Sequence, residues 1–318
     1  MISFRYLHLD IDTIDTRSFA FSYPAEPSQE LTESIRDTGI LTPLLVLPEG
    51  ETYHLFDGHR RLQAARSVAL TQLPVALIPP EPPEKLLSLW IESQRAHRTL
   101  NPFEIAALVQ DGPAAFRLSR ERLLSCLERE PIRLSPSLLP SLPDILRLPD
   151  RLKEEAIHRG YGASFLVKIT QTFSPELLAE TARLLKTFSL SENQLDHLLS
   201  WLDEIAKRDR LTPSETVKRD PLPFILSHPK MPTAKKRDAF LKAVFRMRFP
   251  QRAKLDTAIR EIRQKIEAAG SLRILPPKDL AGNRFELRIV FGNLEELKSV
   301  LRKLETFQKD IDTLTKLI

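Results

Sequence analysis

Asp57, Gly58, His59, Arg60 and Arg61 stand in a row after a short apolar run, Tyr53 to Phe56. The order reads as a strand, a glycine turn, and a helix that opens with one imidazole and two guanidinium groups. The first N–H groups of a helix have no intrahelical partner and attract anions. Arginine adds a planar fork of donors suited to phosphate oxygens. The chemistry on offer is phosphate binding at a strand-to-helix turn. The plainer alternative is a helix start with a solvated basic face. His59 reads either as a phosphate-side donor or as a neutral ring at the surface. His54, His59 and His97 lie in or near this stretch but follow no metal-ligand spacing.

The elements that must hold this turn form a small α/β unit over residues 1–100. Leu7 to Ile11, Leu44 to Leu47, Tyr53 to Phe56 and Leu73 to Ile78 are β-rich buried runs. Ser28 is placed to cap a helix that carries Leu31 and Ile35 on one face and ends at Gly39. The helix from His59 is expected to turn Leu62, Ala65 and Ala69 inward. Pro79 to Pro83 is a stiff connector, and the next helix spaces Leu86, Leu89, Trp90 and Ser93 on one face. Asn101, Pro102 and Glu104 make a capping box with proline in the first turn.

Residues 101–211 read as an all-α region of short helices separated by prolines, starting near Leu118, Pro149 and Ser174. Five prolines between Thr212 and Thr233 predict a linker over 212–233. From Met231 to Gly270 eleven Lys or Arg face four Asp or Glu, a local excess of about seven positive charges. A helix after Pro250 carries Leu255, Ile259, Ile262 and Ile266, stopped by Gly270. Leu272 to Leu275, a loop over Pro276 to Asn283, alternating Phe285 to Phe291 and an Asn293-capped helix complete a small β-β-α region within 234–318. That last helix is read as continuous, with Leu294, Leu297, Leu301 and Leu304 on one face and Phe307, Ile311, Leu314 and Ile318 extending it. Its apolar face exceeds what so small a unit can cover, which implies self-association or packing on the middle region.

The chain has 318 residues, 42% hydrophobic and 28% charged, with net charge +5. This is the balance of a globular protein of two or three domains. Cys126 is the single cysteine, which excludes an internal disulfide and a cysteine zinc site, and it is expected to pack along a helix. No run approaches a membrane span and the N-terminus lacks a signal-peptide pattern, so a cytoplasmic location is expected.

The order of these pieces resembles the ParB family of partition proteins. The residues that carry the resemblance are Glu33 to Pro43, Asp57 to Ala65, Leu73 to Val75 and Glu92 to Glu104. Looser similarity follows at Ile145 to Asp150, at Arg159-Gly160 and in the C-terminal β-β-α pattern. The resemblance implies an N-terminal domain that binds CTP and Mg²⁺, a middle domain with a helix-turn-helix, and a C-terminal dimerisation domain. Together these would form a CTP-gated clamp on DNA that acts in chromosome or plasmid partition and hydrolyses CTP weakly at most. It further implies that Gly58, Arg60 and Arg61 cradle phosphates, with Gly39 beside the nucleotide and Glu92 on the metal side. Arg95 and Arg98 are both candidates for a further family arginine. The chain departs from the family pattern at Thr42, His59 and Ser93, and by one extra residue between Glu92 and Leu100. These departures bear on base selectivity, magnesium geometry and hydrolysis.

A degenerate helix-turn-helix is expected between Ser119 and Leu148, its second helix capped by Ser135 and interrupted by Pro140 and Pro143. It is short of the side chains that read base edges. Arg129 and Arg133 are its candidate phosphate contacts, and Lys235, Lys236, Arg237, Arg246, Arg248 and Arg252 are candidates for sequence-independent contact with DNA. The resemblance implies a basic tail that stimulates a ParA-type ATPase, but Arg5 is the one early basic residue before Arg17, so that contact lies elsewhere or the protein does not serve ParA. The alternatives left open are a kinase or nuclease on the same N-terminal fold, and an inactive dimeric scaffold.

Overall fold

The computed structural model describes residues 4–24, 26–96, 99–130, 134–267, 272–275 and 285–317. His97, Arg98, Arg133, Gly270, the 276–283 loop and Ile318, all invoked above, lie outside them, as do the side chains of Ile266 and Leu314. Two compact units divide the chain, Met1–Leu199 and Ser200–Ile318.

The first unit opens with a mixed five-stranded sheet. Its strands are β1 (Arg5–Asp10), β2 (Ile14–Asp15), β3 (Leu44–Glu49), β4 (Thr52–Asp57) and β5 (Gln72–Leu77), in the order β1-β5-β3-β4-β2. β3 and β4 form an antiparallel hairpin, and β3 runs parallel to β5. Helix α1 (Gln29–Thr38) lies between β2 and β3, and α2 (His59–Ser67) carries the chain from β4 to β5. Ser28 caps α1 by accepting from the Leu31 N–H, and Gly39 ends it at φ 74°. Leu44, Val46, Leu55, Leu62, Ala65, Leu73 and Val75 share one core with Ile35. Ala69 does not join it. α2 stops at Ser67, and Ala69 is an exposed turn residue with positive φ.

Helix α3 (Pro83–Arg95) buries Leu87, Trp90, Ile91 and Gln94, not the expected face through Leu86, Leu89 and Ser93. The true stripe has regular helical spacing but ends on a polar residue, which disguises it. An aromatic cluster holds α3 against the sheet. Phe21 meets Trp90 at 5.2 Å, and Phe19 meets Phe56 at 5.0 Å and Phe116 at 5.1 Å. The capping box opens α4 (Pro102–Ala115): Asn101 accepts from the Glu104 N–H and Glu104 accepts from the Asn101 N–H.

After α5 (Arg120–Leu127), capped by Ser119, residues Pro136–Arg147 wind as 3₁₀ turns. No α-helix forms there, because Pro140 and Pro143 remove backbone donors. Leu139, Leu142 and Ile145 face inward, and the exposed positions are Ser135, Pro136, Ser137, Pro140 and Arg147. Helices α6 (Asp150–Arg159), α7 (Ala163–Thr172), α8 (Pro175–Leu184) and α9 (Glu192–Asp209) follow. The division between the two units falls inside α9.

In the second unit, residues 212–233 are not a bare linker. They hold α10 (Pro213–Val217) and α11 (Leu222–Ser227), with Thr216, Leu222 and Ile225 buried. Their prolines sit in first turns, where the missing N–H is not needed. Helices α12 (Thr233–Arg248) and α13 (Pro250–Glu267) precede the hairpin of β6 (Leu272–Leu275) and β7 (Glu286–Ile289). The expected long final helix is two, α14 (Leu294–Thr306) and α15 (Gln308–Leu317). They part at Phe307, whose N–H bonds back to Leu304 and whose ring packs with Ile259, Ile262, Ile274, Val300 and Ile311. Burying Phe307 wins over continuing the helix.

Candidate functional site

A cavity of about 330 Å³ opens over the start of α2. Asp57, Gly58, His59, Arg60 and Arg61 form one wall. Ser22 and Leu31 approach from one side, Thr42 from the segment before β3, and Ser93 and Gln94 from α3. Gly58 makes the turn at φ 109°, and an added Cβ would overlap Leu44 Cδ2 in the core. No side chain caps α2, and its first backbone bond runs from the Leu62 N–H to the Gly58 carbonyl. A helix start with no side-chain cap is a favourable place for an anion.

The two arginines differ. Arg61 is tied down, with Nη1 donating to the Thr42 carbonyl at 2.6 Å and the Pro43 carbonyl at 3.1 Å, and Nη2 donating to Asp57 at 3.1 Å. Its guanidinium braces the turn from beneath, where burial outweighs the pull of Asp57 and lowers its pKa. Arg60 donates from Nε to the Pro24 carbonyl at 3.1 Å and places Nη2 3.7 Å from Glu104. Asp57 is the carboxylate among the lining residues. One oxygen takes Arg61 and the other takes Gln94 Nε2 at 2.7 Å. Gln94 went unnoticed in the sequence, because a glutamine beside the half-buried Ser93 looks like surface.

His59 is buried. One side of the ring bonds the Thr16 backbone, while Nε2 is buried with no hydrogen-bond partner. Burial pushes the imidazole pKa down, partly offset by Thr16 and Asp57. An unfolded chain therefore takes up this proton first as the pH falls, so stability is lost from about pH 6.5 downward. Thermal melts should show the unaltered chain losing more between pH 7 and pH 5 than His59→Gln. Parallel pH dependence in the two proteins would refute the buried neutral ring.

The remaining expected residues lie elsewhere. Glu92 is exposed and pairs with Arg95 at 2.9 Å, and neither lines the cavity. Gly39 ends α1 outside the lining. His54 sits apart, between Asp15 and Glu49. Among the described residues, no cluster of His, Cys, Asp and Glu fits a metal ion, and no helix is long and apolar enough to cross a membrane. Arg129 is exposed and Cys126 half-buried on α5. On α12 and α13, Lys235, Arg246 and Arg252 are exposed. Lys236 donates to the Leu226 carbonyl, Arg237 pairs with Asp238, and Arg248 pairs with Glu204.

Comparison with known proteins places residues 6–93 in one family, the ParB N-terminal domain. A probable chromosome-partitioning protein ParB of Coxiella burnetii is 29% identical over 140 residues, covering 43% of this chain and 47% of its own length. A probable plasmid-partitioning protein ParB of Thermus thermophilus is 42% identical over 80 residues, 25% of this chain and 26% of its own. The chain thus spans about half the length, or less, of these curated relatives. The C-terminally truncated ParB of Caulobacter crescentus, solved with CTP-gamma-S, aligns over 56% of this chain and 98% of its own at 21% identity, with a TM-score of 0.24. A superposition that loose carries no argument about this chain.

Proposed function

We propose, from the match of residues 6–93 to the ParB N-terminal domain, that the cavity over α2 binds the phosphates of a nucleotide. The observation that carries this reading is the start of α2, which no side chain caps and where Gly58, His59 and Arg60 line one cavity inside the matched domain. A phosphate chain brings negative charge that this donor set is built to receive. CTP is the nucleotide that the family resemblance implies. Magnesium fits less well, since Glu92 is paired on the outside of α3 and both oxygens of Asp57 are engaged. We therefore assign no step to a metal and treat binding, not hydrolysis, as the working event.

In this proposal the chain is a nucleotide-gated, DNA-binding clamp of the partition type. Nucleotide favours a state in which two N-terminal domains engage, limited by its difference in affinity for the two states. The 3₁₀ turns at Pro136–Arg147 offer few base-reading side chains, so contact with DNA falls to charges such as Arg129, Lys235, Arg246 and Arg252. The dimer is assigned to the C-terminal hairpin and helices, where Val290 is 72% and Leu294 63% exposed beside Phe291 and Leu301. Deleting residues 285–318 should convert a dimer to a monomer in light scattering. A dimer that survives the deletion places the interface elsewhere. Titration with CTP, ATP and GTP tests the nucleotide assignment itself.

A further inference from the structure

Glu104 does more than cap α4. Its side chain is fully buried, with one oxygen accepting from the Tyr23 N–H at 3.2 Å and the other from the Asn101 N–H at 3.0 Å. Asn101 returns a bond from Nδ2 to the Tyr23 carbonyl at 2.8 Å. The Tyr23 ring stacks obliquely on Phe103 at 5.5 Å and lies under the Lys153 ammonium of α6 at 5.5 Å. Arg60 of the cavity wall, which also holds the Pro24 carbonyl, places Nη2 3.7 Å from Glu104. One guanidinium thus faces the cavity while serving the junction of the 22–24 segment, α4 and α6.

We propose that Glu104 is a positioning residue that competes with the bound phosphate for Arg60, so that occupancy of the cavity is read at the start of α4. This rests on the phosphate reading of the cavity. Without ligand, Arg60 leans on Glu104 and Pro24. A phosphate draws the guanidinium inward, because an anion with several oxygens in a cavity of donors is the stronger partner. The 22–24 segment then loses its anchor on α2, and Tyr23 with it loosens its hold on α4 and α6. Arg61 takes no part, since its donors are committed to Thr42, Pro43 and Asp57.

The test uses the full chain and inorganic triphosphate, followed by calorimetry and hydrogen exchange. Glu104→Gln removes the competing charge, so it should bind triphosphate about fivefold more tightly than the unaltered chain, the scale of one partly screened ion pair. A purely structural role would move affinity the other way, since a damaged cap loosens the site. In the unaltered chain, triphosphate should speed amide exchange at Ser22, Tyr23, Asn101, Phe103 and Glu104. Equal or weaker binding by a folded Glu104→Gln overturns the competition. If that variant does not fold, unchanged or slowed exchange in the unaltered chain overturns it alone. An unaltered chain that binds no triphosphate overturns both this inference and the phosphate reading. Binding that is normal and indifferent to Glu104 overturns the inference only.

Discussion

Gly58→Ala is expected to cost about 3 kcal/mol of stability or more and to erase ligand binding with it. Two penalties add. At φ 109° an L side chain is strained. The new Cβ would also overlap Leu44 Cδ2, and Leu44 is fully buried and has nowhere to move. Gly39→Ala is the control, since it too has positive φ, at 74°, but nothing lies within 4 Å of its added Cβ. At φ 74° and ψ −167° its backbone strain should cost about 1–3 kcal/mol, with no steric overlap to add. Denaturant unfolding of both variants checks the contrast. Equal small losses would mean that the turn at Gly58 is not packed as described.

Arg60→Ala is expected to weaken nucleotide binding by roughly ten- to a hundredfold, the worth of one charge-assisted bond to phosphate. Arg61→Ala should act first on stability, with a larger fall in melting temperature than Arg60→Ala. Arg61 makes three bonds beneath the turn, and its loss leaves the Thr42 and Pro43 carbonyls without their donor and Asp57 without a partner on one oxygen. Titration and melting of the two variants, side by side, separate the roles. Normal binding by Arg60→Ala would remove it from the site.

The strand-to-helix turn was legible because its signals agree. An apolar run, a glycine and an amphipathic helix have one local solution, and the Asn101 and Glu104 box was read for the same reason. What could not be read depended on distant partners. Arg60 and Arg61 are adjacent and chemically identical, and only the placement of the Thr42 and Pro43 carbonyls tells them apart. Phe19 and Phe21 lie in an irregular segment with no periodicity, yet they anchor α3 and α4 to the sheet. Gln94 breaks an apolar stripe, which disguises the buried face of α3. Phe307 ends a helix whose sequence pattern continues, because its ring is needed in the core.

Calorimetric titration of the full chain with CTP, ATP and GTP, with and without Mg²⁺ and mixed-sequence DNA, tests the central claim most directly. Saturable binding of CTP, with little heat from ATP or GTP, is the predicted result. Preference for ATP or GTP would favour an enzyme on this fold. No binding of any nucleotide by the folded chain would contradict the account.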